Sequence, residues 1–322
     1  MSSDSGCANG QILASIIILA KNGERYLRSL LEALYCQKGI ERAEVIVIDS
    51  GSSDDTLAIV RAFPGVRLIE IPPGEFGHGK TRNLGARLAR GEFLIYLPQD
   101  ATPVGSDWLA SLLHAFSDAT VVGVYGRQVA RADASPMESF FLARTYHARP
   151  EKRSLGEHDA VSLTRCFFST VSGAVRASIW AEHPFREDII MSEDQAWASD
   201  VMRKGHSVAY VPQATVLHSH QYGVGDIFRR NFDSGYSIHQ IFNGETGIGL
   251  AGTLRGLVEE GRFVVGRSGL PGLLGFVPYE LARHLGFWLG LHGDRLPLAL
   301  CKACSGLGYF WDRRKPRAGA AT

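Results

Sequence analysis

The sequence predicts an α/β fold: a doubly wound, mostly parallel sheet with helices on both faces, followed by a C-terminal helical extension. Three observations lead there. Glu44–Thr56, EVIVIDSGSSDDT, runs an apolar, β-branched stretch straight into an aspartate and a tight polar turn, the pattern of a strand buried on both faces. Short apolar runs alternate with helical periodicity through the first half of the chain, which argues crossover units and a parallel sheet. After Phe242 the composition shifts to Gly, Leu, Phe and Trp with basic residues between them, setting a boundary near Asn243.

In order, Ala14–Leu19 reads as a short strand ending in Ala20-Lys21-Asn22-Gly23, and Leu27, Leu30, Leu31 and Leu34 then recur at helical spacing. Val45–Ile48 is the second strand. Asp49 stands at its carboxyl end, where open α/β sheets bind ligands. Ser50 to Ser53 turn the chain, and Asp54 and Asp55 suit the first turn of a helix through Phe63. Val66–Ile71 is a third strand, stopped by Pro72-Pro73-Gly74. Lys80–Ala89 reads as a helix with Leu84 and Leu88 on one face. Phe93–Leu97 is a fourth strand ending in Pro98-Gln99-Asp100, followed by a helix over Trp108–Phe116 and a strand over Val121–Tyr125. From about Pro150 the pattern loosens. Arg165–Val175 reads as a strand and Glu193–Lys204 as a helix. Val208–Val211 and Thr215–Leu217 read as strand, running into His218-Ser219-His220. Residues 1–11 are expected to be disordered, 12–242 to form the α/β domain and 243–322 the helical extension.

A chain of 322 residues with 45 % apolar and 21 % charged content buries a sizeable core. Its net charge of +1 gives no reason to expect nucleic acid. Cys7, Cys36, Cys166, Cys301 and Cys304 are scattered and odd in number; they do not form a disulfide framework, and a reducing cytoplasm follows. The first ten residues lack the basic and apolar regions of a signal peptide. No stretch of 18 residues is free of charge and turn-formers, so no spanning helix is expected.

Several groups could carry chemistry, and each has a plainer reading. Asp49 at a strand tip can accept hydrogen bonds from a ribose or a base, or simply organise a turn. Gly74–Thr81, GEFGHGKT, matches the phosphate-loop spacing and lies between a strand and a helix. It follows the third strand rather than the first, however, and leaves Asp100, Asp194 and His218 without a role. A milder reading has Lys80, Arg82 and helix amides holding a diphosphate. Asp100 can ligate Mg²⁺ or Mn²⁺ or cap the following helix, a task for which Asp107 competes. Glu193 and Asp194 open a helix, as a general base or as dipole partners. His218 and His220 can bind metal or lie on the surface.

The order of these motifs says more than any one of them. AKNG at Ala20, IDSGSSD at Ile48, TRNLGA at Thr81, QDA at Gln99, EDQ at Glu193 and VLH at Val216 together resemble glycosyltransferase family 2 with the GT-A fold, over about residues 12–240. FGHGKTRN (Phe76–Asn83), Pro98–Pro103 and His218–Tyr222 are similar to bacterial rhamnosyltransferases of polysaccharide assembly. The resemblance implies that Ala20, Asn22, Asp49 and Ser50 hold the nucleoside. It implies that Lys80, Arg82, Asn83, Gln99 and Asp100 shape the donor and diphosphate pocket. Asp100 stands where the family's D-x-D motif ends, with Pro98 or Gln99 replacing its first aspartate. Asp100 and His218 would hold Mg²⁺ or Mn²⁺. Asp194 matches the catalytic base, with Glu193 as second candidate; His220 and Trp197 are assigned to the acceptor side or left without a role.

The implied activity is inverting transfer of a sugar, rhamnose from dTDP-rhamnose, to a glycan acceptor linked to polyprenyl diphosphate. The alternatives are a UDP-sugar donor, a phosphate-loop hydrolase or kinase using Gly74–Thr81, and an inactive sugar-nucleotide-binding subunit. A lipid-linked acceptor implies a peripheral enzyme at the inner face of the cytoplasmic membrane. Leu281, Leu285, Trp288 and Leu289 recur as one helical stripe, with Phe276 and Phe287 adding aromatic groups. Glu280 and Arg283 interrupt the run, so the helix is expected to lie in an interface rather than span. The basic end, Arg313-Arg314-Lys315-Pro316-Arg317, suits an anionic leaflet. The plainer readings of the stripe are packing on the α/β domain or a homodimer.

Overall fold

A computed structural model describes residues 12–313. The stretch 1–11 and the basic residues Arg314, Lys315 and Arg317 lie outside the described residues. The chain runs β1 (Ala14–Ala20), α1 (Glu24–Tyr35), β2 (Ala43–Asp49), α2 (Thr56–Arg61), β3 (Val66–Glu70), α3 (His78–Leu88), β4 (Phe93–Pro98), β5 (Thr102–Pro103), α4 (Trp108–His114) and β6 (Val121–Val129). It continues through α5 (Pro136–Thr145), β7 (Glu151–Arg153), β8 (Gly173–Arg176), α6 (Ala177–Glu182), α7 (Glu193–Met202) and β9 (Ser207–Leu217). It ends in the helices α8 (Val224–Phe242), α9 (Leu250–Ser268), α10 (Leu273–Leu291), α11 (Leu298–Cys304) and α12 (Gly308–Asp312).

One sheet carries the strands in the order β3-β2-β1-β4-β8-β6-β9-β5, with β7 beside β9. β3, β2, β1 and β4 are mutually parallel, as are β6 and β9. β8 runs antiparallel between β4 and β6. Alternate strand residues build two apolar layers. Ile16, Ile18, Val45, Val47, Ile95 and Leu97 pack with Leu27, Leu30, Leu31 and Leu34 of α1 and with Trp108. Ile17, Ile46, Ile48, Leu94 and Tyr96 face the other way, toward Ala86 of α3 and Trp197 of α7. This two-sided burial is why the strands read as unbroken apolar runs.

Three expectations are corrected. Residues 165–175 are not one strand: the chain turns at Ser162–Cys166 and makes a 3₁₀ turn over Thr170–Ser172 before β8 begins. That turn carries Thr170 to Asp194, a long-range bond the local pattern cannot announce. The two strands expected over 208–217 are one, β9, with a register shift against β6 at Gly126/Arg127. A side chain at Gly126 would strike the Ala214 carbonyl oxygen. On α3, Leu84 and Leu88 are only half-buried. Its buried face is Gly79, Thr81, Asn83, Gly85 and Ala86, and a Cβ at Gly85 would collide with Ile17. Small residues let this helix lie close on the sheet.

The C-terminal helices pack by the same device. Gly235 of α8 lies against the Phe287 carbonyl of α10, while Gly286 and Gly290 lie against the carbonyls of Phe228 and Phe232. Backbones at this distance leave no room for a side chain. The stripe, in contrast, faces outward: Leu281 is 67 % and Trp288 57 % exposed, so it does not pack on the α/β domain. Leu289 and Phe287 are half-buried and Phe276 is buried. Glu280 and Arg283, expected to break an apolar face, point inward instead. Among the described residues no helix is long and apolar enough to cross a membrane, and the cysteines are free.

The seam makes a prediction of opposite signs. Gly290→Ala drives a methyl into the Phe232 carbonyl and should destabilise by about 1–3 kcal/mol. Gly266→Ala, where a Cβ would meet nothing, should stabilise by about 0.5–1 kcal/mol. Urea unfolding of both variants measures the difference.

Candidate active site

The carboxyl ends of β1, β2 and β4 meet at one edge, because Ala20 pairs with Asp49 and Leu19 with Pro98 in the parallel register. The loops leaving these strands hold one another. Asn22 takes a left-handed φ of 50°, a conformation asparagine tolerates. Its Oδ1 accepts from the Ser53 amide at 2.9 Å, and its own amide donates to Ser52 Oγ at 2.8 Å. Asp49 is buried, and its Oδ1 accepts from the amides of Gly51 and Ser52, both at 2.9 Å. Ser50 donates from its amide and hydroxyl to the Ala20 carbonyl. Gln99, next to Asp100, accepts from the Lys21 amide at 2.7 Å and donates to the Lys21 carbonyl at 2.9 Å. It ties the β1 and β4 loops together. Thus Ala20, Asn22, Asp49, Ser50, Gln99 and Asp100 share one edge.

Beside this rim stand Asp100, His218 and His220. One ligand atom from each lies within 4.8 Å of the others. His218 Nε2 is 3.6 Å from Asp100 Oδ1, and His220 Nδ1 is 3.7 Å from Asp100 Oδ2. Burial pushes His218 down to about 3, with the Arg230 and Arg131 charges adding to it. Burial and then His218 hold His220 at about 4. Both rings are neutral at physiological pH, the state that ligates a cation. The tautomer of His218 follows from its neighbours. Gln128 Nε2 donates to Tyr146 Oη and Ser169 Oγ, so its Oε1 must accept, and it takes the His218 Nδ1 proton at 2.9 Å. The Nε2 lone pair is left facing Asp100. An acidic oxygen and two imidazole nitrogens suit a divalent cation.

Asp194 is fixed from the other side. Its Oδ2 accepts from the amide and hydroxyl of Thr170 at 3.0 and 3.1 Å, and its Oδ1 from the Gln195 amide at 2.9 Å. Burial, then the Glu193 charge, raises its pKa, opposed by Arg82. Glu193 is buried and ion-paired with Arg82, which makes it a partner for that guanidinium rather than a free base. His78, at the head of α3, feels the Arg82, Arg230 and Asp194 charges and is lowered to about 3, chiefly by burial. Arg230 lies 5.4 Å over the Tyr222 ring, which stacks on His220. Among the described residues it has no carboxylate partner.

Three expected site residues stand elsewhere. Asn83 is a strut: its amide donates to the Phe185 carbonyl and Glu187, and its Oδ1 accepts from Trp180 and the Phe185 amide. All its polar capacity is used within the protein. Trp197 is a core residue, 1 % exposed, against Phe168 and Phe185. Lys80 pairs with Glu75 at 3.5 Å and lines a cleft with His78, Glu187, Tyr309 and Arg313. The phosphate-loop arrangement is also absent from this segment. Gly79 is covered by the Arg186 carbonyl, and Thr81 is buried with its hydroxyl accepting from the Gly77 amide. Sequence reasoning missed Gln128, Thr170, Arg230 and His78. Only His78 stood inside a quoted motif, and no spacing marks the other three.

The profile of Glycosyl transferase family 2 matches residues 15–168. The chain is 30 % identical over 309 residues to the O-antigen chain rhamnosyltransferase RfbN of Salmonella typhimurium, covering 92 % of this chain and 96 % of that one. It is 31 % identical over 281 residues to the O-antigen chain rhamnosyltransferase WbaN of Salmonella anatum, covering 84 % and 86 %. Among solved structures, the mannosyltransferase PcManGT from Pyrobaculum calidifontis, in complex with GDP-Man and Mn²⁺, superimposes with a TM-score of 0.53 at 18 % identity, over 92 % of this chain and 76 % of that one. That likeness shows the GT-A fold. Similarity to RfbN over nearly the full length of both chains leads to one assignment: this chain is a glycosyltransferase and belongs to glycosyltransferase family 2.

Proposed function

We propose that the enzyme transfers rhamnose from dTDP-rhamnose, with inversion, to a glycan acceptor linked to polyprenyl diphosphate, working at the inner face of the cytoplasmic membrane. The observation that carries the chemistry is the pairing of the Asp100–His218–His220 triad with an oriented carboxylate, Asp194. The sugar is read from the similarity to RfbN and WbaN, both named rhamnosyltransferases. The rim of Ala20, Asn22, Asp49, Ser50 and Gln99 receives the nucleoside. Asp194 takes the proton of the acceptor hydroxyl as its oxygen bonds to the anomeric carbon. The bond from that carbon to the diphosphate breaks on the opposite face, so one displacement inverts the configuration without a covalent intermediate. Arg82, held in place by Glu193, and Arg230 face the charge that develops on the leaving group. Asp100, His218 and His220 would hold a divalent cation, Mn²⁺ or Mg²⁺, which would supply further positive charge there. Two imidazole ligands favour Mn²⁺ over the harder Mg²⁺.

The metal reading predicts that EDTA abolishes transfer and that Mn²⁺ restores it at lower concentration than Mg²⁺. Asp100→Ala should raise the Mn²⁺ concentration needed, and Gln128→Ala should do so by about 10–100-fold through the freed His218 ring. Titrating activity against each metal checks both, and full activity in EDTA overturns the metal assignment.

Asp194→Asn should lower kcat by about 10²–10⁴-fold while sparing donor affinity. Because its pKa is raised, the acid limb of wild-type kcat should lie above the usual carboxylate range. The stability that comes with protonated Asp194 is present at low pH and lost as pH rises through that raised value. The asparagine variant should therefore match wild type near pH 4 and melt at a higher temperature near pH 7. Near-wild-type turnover by the variant would move the base elsewhere.

Donor choice is tested by thermal shift with Mn²⁺ against dTDP-rhamnose, UDP-hexoses, GTP and ATP. dTDP-rhamnose should stabilise most, and neither ATP nor GTP should be hydrolysed. Preference for a UDP-sugar would retain the fold and mechanism and replace the donor.

A further inference from the structure

We propose that the α9–α10 pair docks on an anionic lipid surface through the outward face of α10. The inference deepens the membrane location proposed above and rests on it. Helix α10 is turned inside out relative to an ordinary surface helix. Its charged residues are inside: Arg283 is 2.9 Å from Glu260 of α9, pairs also with Glu280, and both glutamates are buried. One oxygen of each glutamate has no hydrogen-bond partner. Its apolar residues are outside: Leu274, Val277, Leu281, Leu285 and Trp288, continued by Leu270 in the turn before it, are each at least half exposed. Their spacing of three and four residues makes a single face. The one exposed titratable side chain within it is His284, 3.4 Å from Glu280. Six large apolar side chains in a row on water mark an interaction site.

Charge selects the occupant. Over residues 250–292 the exposed basic residues are Arg255, Arg262 and Arg267, all on α9. The one exposed acid, Glu259, is tied to Arg144. An apolar face next to a helix whose free exposed charges are arginines matches an anionic bilayer, where the apolar side chains enter the interface and guanidiniums meet headgroups. An interface between copies of this surface would bring together charges of the same sign. α8 lies between α10 and the triad: Gly235 packs on α10, while Arg230 acts on His218 and His220. A lipid-bound acceptor would thus be met one helix layer from the triad.

Trp288 reports on this directly. Of the five tryptophans, Trp108, Trp197 and Trp311 are buried, Trp180 is half-buried and Trp288 alone is exposed. Full-length protein is mixed with vesicles of equimolar phosphatidylcholine and phosphatidylglycerol at low salt, with pure phosphatidylcholine as control. It should sediment with the anionic vesicles and shift its emission to the blue, and Trp288→Phe should abolish the shift. High salt should weaken binding. Leu281→Glu with Leu285→Glu should reduce partitioning roughly a hundredfold or more and leave hydrolysis of the sugar nucleotide unchanged. Arg255→Glu with Arg262→Glu should remove the preference for anionic lipid. Protein that stays in the supernatant at low salt overturns the proposal, as does a dimer in solution that the leucine variant dissociates. Sugar-nucleotide hydrolysis, followed in the same samples, reads the catalytic assignment separately: vesicle binding without hydrolysis would sink the chemistry and leave the docking face standing.

Discussion

The parallel register of β1, β2 and β4 is the constraint from which the site follows. Parallel strands end their carboxyl tips on one side, and a one-residue slip would turn every side chain to the other face. Here Ala20 aligns with Asp49 and Leu19 with Pro98, so three loops leave the sheet together. Gln99 then bridges two of them through the Lys21 backbone. Beside that loop clamp stands Asp100, and two histidines after β9 complete the triad from the far side.

His218 is neutral because it is buried, and aimed because Gln128 is itself held by Tyr146 and Ser169. Asp194 shows the opposite tension. A buried carboxylate next to Glu193 is costly to ionise, and the Thr170 and Gln195 hydrogen bonds and the Arg82 charge only partly offset that cost. The proposed mechanism gives this tension a use: a base poised above the usual carboxylate range transfers protons more effectively near neutrality.

The C-terminal helices invert the usual distribution of polarity. Their close approach relies on Gly235, Gly286 and Gly290, which let two backbones touch. Two glutamates and an arginine fill the seam with α9, while leucines and a tryptophan face out. Burying an ion pair costs desolvation, and exposing leucine forfeits burial. Both are tolerable when the outer surface meets a medium other than water.

Much of this protein was written locally. Apolar runs gave the first four strands, the Leu27–Leu34 spacing gave the buried face of α1, and turn chemistry placed Asp49 at a strand tip. Motif order brought Asp100, Asp194 and His218 into one list, and the fold brought them to one region. What stayed hidden depended on contacts between distant residues. Nothing near Gln128 says that it orients a histidine 90 residues away, and nothing near Thr170 says that the chain must leave the sheet to reach Asp194. Asn83 sits inside a motif yet serves as a strut, and Trp197 shares a helix with Asp194 yet fills the core. The sequence determined that α10 has one apolar and one charged face. Only the tertiary structure decided which face looks outward, because periodicity fixes the relation between residues on a helix while the neighbouring helices, α8 and α9, choose the side they cover.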